Sequence, residues 1–134
     1  MKPLRRTLLV CAIASLAALS HSYAQKKNSL DLTGVWQIHF EDDDGVSVTD
    51  PKLVLQQNGD KLTGTFGNLD WPVIGAVDKG HVVFTFIAHG HEAGEPISDT
   101  VFYWGVVDET GKMKGRMKNP KEAGDWSAVR QGAQ

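Results

Sequence analysis

Cysteine occurs once in this chain, at Cys11, inside an apolar run near the N-terminus. That run, Thr7 to Ser20, follows Lys2, Arg5 and Arg6 and precedes Ser22-Tyr23-Ala24. A basic start, an apolar middle and small residues just before a cut are the marks of a secretory signal peptide, here residues 1–24. Leu9-Val10 before Cys11 do not supply the small residue that lipoprotein processing needs. Cleavage after Ala24 leaves no cysteine, which excludes disulfides and thiol nucleophiles from a periplasmic or secreted product. Long apolar runs are missing too. Thr7 to Ser20 falls short of the roughly 20 residues a bilayer span needs, so no membrane anchor is expected.

Positive charge is scarce. Of 14 Lys and Arg, three leave with the leader; eleven then face 16 Asp and Glu, a formal charge of −5. With no basic stripe through the chain, a nucleic-acid partner is not expected. The basic residues gather at Lys112, Lys114, Arg116, Lys118 and Lys121, an alternation that fits the wet face of a strand. The chain has no Gly-x-Ser-x-Gly elbow, P-loop or dinucleotide fingerprint, and no cofactor is expected.

Helical periodicity is also absent. What is present is a series of short apolar runs separated by turn residues. After a flexible lead at residues 25–30, the domain occupies residues 31–131. Strands are expected at 32–40, 52–57, 61–66, 71–77, 81–88, 99–107, 112–118 and 124–130. Asn58-Gly59, Asp78-Lys79-Gly80 and Asp108 to Gly111 mark tight turns between them. Eight hairpin-linked strands favour an all-β, antiparallel, up-and-down barrel, because closure removes both edges. A two-sheet sandwich is the alternative. His89 to Ser98 is expected to be the longest loop and to act as a lid.

The two-residue period assigns faces. Trp36, Ile38 and Phe40 share one side, as do Val82, Phe84 and Phe86. The strand around Tyr103 is apolar on both sides, and Phe102, Trp104 and Val106 on its second face are available for a partner or an oligomer contact.

Gly34-Val35-Trp36 resembles the Gly-x-Trp that opens the first strand of calycins, the superfamily of lipocalins, fatty-acid-binding proteins and avidins. Leu62-Thr63-Gly64-Thr65-Phe66 resembles a third-strand pattern of avidin-like barrels. The resemblance implies a calycin-like barrel with Trp36 closing one end and Arg130 of the last strand lying across it. It does not extend to biotin binding: the first loop is Glu41-Asp42-Asp43-Asp44, where avidins carry Asn and Ser.

Several groups invite a chemical reading. His89 and His91, with Glu92 and Glu95, have the residue types of a divalent-metal site, but exposed loop residues need no metal, and none is expected. His39 and His81 fall on outward faces. Asp42-Asp43-Asp44-Gly45 lacks the spacing of an EF-hand loop. Tyr103, His91, Trp71, Phe84 and Phe86 are the candidate ligand-binding residues, with Tyr103 deep and His91 at the entrance.

Three functions remain open. The leading one is an exported barrel that binds a small, mostly apolar ligand. The second is an enzyme, an isomerase, lyase or hydrolase, using His, Tyr or Glu as acid and base in the cavity. The third is a structural or assembly module whose barrel is filled by its own side chains. A packed apolar interior favours the module. A hollow one favours the other two.

Overall fold

A computed structural model describes residues 30–48 and 51–132. The expected signal peptide with Cys11, and residues 25–29 of the lead, lie outside them. The described chain forms β1 (Gly34–Asp42), β2 (Ser47–Val48), β3 (Lys52–Asn58), β4 (Lys61–Phe66), β5 (Trp71–Asp78), β6 (His81–Glu92), β7 (Glu95–Val107), β8 (Met113–Lys118) and β9 (Ala123–Arg130). From β3 to β9 each strand pairs antiparallel with the next, and β9 returns to β1 from Trp36↔Arg130 to Asp42↔Gly124. The result is a closed, eight-stranded, up-and-down barrel. The short β2 pairs only with β1, at Phe40↔Val48 and Glu41↔Ser47, on the edge that β3 occupies further along.

Local chemistry sets the turns. Lys79 and Gly80 both have positive φ, which gives a two-residue hairpin turn whose twist matches the flanking strands. Ala93 and Gly94 do the same, with φ of 51° and 83°. This second turn corrects the loop expected at His89 to Ser98. That stretch is two strands joined at Ala93-Gly94, paired through His89↔Ser98, Gly90↔Ile97, His91↔Pro96 and Glu92↔Glu95. β5 pairs with β6 only as far as Ile74↔Thr85, and β8 with β7 only as far as Phe102↔Lys118. Beyond those points β6 and β7 pair only with each other, so the hairpin runs on past the barrel as a two-stranded arm.

The inner face carries the core, in which, among the described residues, 18 hydrophobic residues are buried and no residue of the polar or charged types is. Close packing of large residues requires small ones opposite them. At Gly75, which pairs with Phe84, an added Cβ would run into the Val83 carbonyl oxygen and lie 2.9 Å from the Phe84 Cα. The sheet coils too tightly there for any side chain.

Candidate functional site

One end of the barrel is sealed. Leu32 and Trp36 are fully buried, and the Trp36 indole Nε1–H donates to the Leu32 carbonyl at 2.9 Å. The Arg130 guanidinium lies over the Trp36 ring, 4.6 Å from its centroid. Its Nη1 and Nη2 donate to the carbonyls of Thr33 and Asp31, each at 2.6 Å. One planar cation thus covers an aromatic face and ties down the segment that plugs the barrel. Arg130→Ala is expected to lower stability by about 1–2 kcal/mol, from lost stacking and two unpaired carbonyls. Urea denaturation checks this, and an unchanged midpoint would show that the plug holds without its cation.

The interior is occupied by rings. Phe84 stacks on Tyr103 at 4.7 Å, and Trp126 meets both edge-on at 5.6 and 5.4 Å. Phe66 stacks on Phe86 at 4.1 Å, and Trp71 continues the stack at 5.8 Å from Phe86. Trp36, Ile38, Leu53, Phe84 and Met113 have 0% of their surface accessible to water. A chamber large enough for a ligand beside any of them would register as accessible surface. Among the ligand candidates, Phe84, Phe86 and Tyr103 belong to the buried core, and the partly buried Trp71 packs against it.

His91 stands apart from that cluster. It lies on the arm seven residues beyond Phe84, about 24 Å along the strand at about 3.4 Å per residue, on the face opposite to Phe84. The arm also separates the metal candidates. His89 and His91 share one face, and His89 Nδ1 lies 2.9 Å from Ser98 Oγ. Glu92 and Glu95 oppose each other on the other face, and Glu92 pairs with Lys121 at 3.2 Å. Among the described residues no three His, Cys, Asp or Glu converge on one point. In the acidic loop, Asp42 Oδ1 accepts from the Asp44 and Val46 amides, and Asp43 pairs with Arg116 at 2.8 Å.

Tyr103 is 3% exposed. Burial first, and the Glu122 carboxylate second, push its phenol far above the ordinary value near 10. The folded state then keeps a proton that the unfolded chain sheds above about pH 10. Its contribution is complete below that pH and falls as the pH rises past it. Urea midpoints should decline more gently between about pH 9 and 11 in Tyr103→Phe than in the natural chain. Parallel declines would mean that Tyr103 titrates as it does in water.

The apolar surface that remains accessible is on the outside. Ile74 of β5, Val83 and Ile87 of β6, and Phe102, Trp104 and Val106 of β7 are 36–65% exposed. Cross-strand pairing puts Val83 beside Trp104 and Thr85 between Ile74 and Phe102, so these residues share one outer face of neighbouring strands. Shallow grooves flank Trp104 on both sides. One, of about 430 Å³, is lined by Ala76, Asp78, His81, Val83, Trp104 and Val106. The other, of about 500 Å³, runs over Gly105 and Gly115 to Lys114, Arg116, Asp125 and Trp126. The Trp126 indole N–H reaches between β7 and β8 to the carbonyls of Trp104 and Arg116, at 3.2 and 2.9 Å, and so pins the backbone beneath Trp104.

Sequence reasoning named Phe102, Trp104 and Val106 from a strand apolar on both faces. It missed Ile74, Val83 and Ile87, although Val83 and Ile87 alternate with Val82, Phe84 and Phe86 and carry the same signal. No protein-family model matches the chain, and no curated protein matches it, so its function has to be read from this geometry alone.

Proposed function

We propose that this chain is an exported, calycin-like barrel that acts as a binding module and recognises a protein partner on the outer face of β5, β6 and β7. One observation carries the reading: the domain's own rings pack the interior, while six of the ten large apolar residues exposed among the described residues lie on the outer face of β5–β7 around Trp104. Contiguous exposed apolar surface is uncommon on monomeric proteins and marks contact sites. A Trp standing between two grooves has the form of an interface anchor. The small-ligand and enzyme readings need a chamber with a polar group in it. Among the described residues the core buries no polar or charged side chain besides the Tyr103 phenol, and the Tyr103 ring is stacked into the packing. Calycin kinship is supported by the closed barrel, by Gly34-Val35-Trp36 and by Arg130 over Trp36.

Photo-crosslinking in the native cell envelope tests the reading. A photoreactive residue at Trp104 is expected to yield one adduct of defined mass. The same residue at Gln56, exposed on β3, is expected to yield none. Equal labelling from both positions, or no adduct from position 104, would overturn it. Trp104→Ala should leave the melting temperature nearly unchanged, because the side chain contributes little to the core. It should weaken capture of the adduct partner by roughly 2 kcal/mol or more, about thirtyfold.

A further inference from the structure

Surface recognition by β5–β7, as proposed above, leaves the chemistry of the partner open, and the residues beside the stripe narrow it. Each exposed apolar residue of β7 has a basic residue directly opposite it on β8: Phe102 faces Lys118, Trp104 faces Arg116 and Val106 faces Lys114. Arg116 is already neutralised, with Nη1 at 2.8 Å from Asp43 and 2.9 Å from Asp125. Lys114 and Lys118 have no ion pair among the described residues. They are two unmatched cations beside apolar surface, in a chain whose formal charge is −5 once the leader is gone.

Docking on this stripe draws both ammonium groups towards a drier interface, and a cation there needs an anionic partner. We infer that the partner is a polypeptide segment both apolar and acidic, lying across β7 with an apolar side chain in the groove beside Val83 and a carboxylate at Lys114 in the groove beyond Trp104. The two grooves lie on the β6 and β8 sides of β7, so the two groups are set about 10 Å apart, two strand spacings. The glycine floor of the second groove favours discrete side chains over a flat lipid surface. An extended lipid surface also brings anionic headgroups against the acidic body of the domain away from Lys114 and Lys118, which a short segment does not. A second copy of this chain brings a body of the same negative charge, with Asp78 as the carboxylate lining the first groove.

The test uses the purified protein with two short synthetic peptides, one repeating Leu-Leu-Asp-Asp and the other Leu-Leu-Lys-Lys, so that an extended peptide shows both residue types on each side. Binding is followed by calorimetry. The Leu–Asp peptide is expected to bind at least about tenfold tighter than the Leu–Lys peptide and to weaken with added salt. The double substitution Lys114→Glu/Lys118→Glu is expected to reverse that preference, with thermal melting showing that the fold is retained. Equal binding of both peptides, binding of neither, or a preference that survives the charge reversal overturns the inference. It leaves surface recognition standing if the Trp104 adduct persists. Leu–Asp binding that survives Trp104→Ala removes the surface reading instead. Adsorption only to anionic phospholipid vesicles, or concentration-dependent dimers in native mass spectrometry without peptide binding, would assign the stripe to lipid or to a second copy.

Discussion

Phe84→Ala is expected to destabilise the domain by about 3–5 kcal/mol, the usual cost of removing a fully buried aromatic side chain. Phe84 is 0% exposed, stacks on Tyr103 and meets the edge of Trp126, so its loss opens a void that three elements line. A domain of this size has about 5–15 kcal/mol of stability in total, and one substitution would remove much of it. Chemical denaturation gives the number. The result also separates two roles for this residue. A barrel that encloses a ligand tolerates a larger chamber and keeps most of its stability. A barrel packed on its own rings does not. A loss below about 1 kcal/mol would mean that the interior is loosely filled and would reopen the enclosed-ligand reading.

Gly75→Val should be at least as damaging, about 3 kcal/mol or more, for the opposite reason. Nothing is removed. Instead the new Cβ meets the Val83 carbonyl and the Phe84 backbone, and neither can move without unpairing β5 from β6. Loss of the folded signal in near-ultraviolet circular dichroism is the expected readout. Near-native stability would show that the sheet can flatten at this corner.

Most of the architecture was legible in the sequence, because side-chain alternation and turn chemistry act locally. Asn58-Gly59 and Lys79-Gly80 announce their hairpins, and Trp36, Ile38 and Phe40 fall on the core side as their period requires. The arm was not legible. Ala93-Gly94 is a weaker turn signal than Asn-Gly, and Gly90 and Pro96 break up the strand pattern on either side. There the polar composition of an exposed hairpin looks like that of a loop. The state of the interior was not legible either. Inward Phe, Tyr and Trp residues fit a ligand lining and a filled core equally well, and only the ring separations tell them apart. Lys114 and Lys118 read correctly as a wet face. What alternation could not reveal is that their neighbours across the strand are Val106 and Phe102, since pairing register is a long-range property.

Closure of β9 onto β1 also imposes an order of events on folding. Every other main pairing joins strands adjacent in the chain, and such hairpins form on the scale of microseconds. The β1–β9 seam joins residues such as Trp36 and Arg130, separated by nearly the whole domain, so it carries the largest loop-closure entropy and should zip last. Until it does, the growing sheet has two open borders able to recruit other chains. A product ending before Ala123 would keep both borders permanently. Loss of β9 by premature termination is thus a route to aggregation, even though it leaves most of the core residues in place.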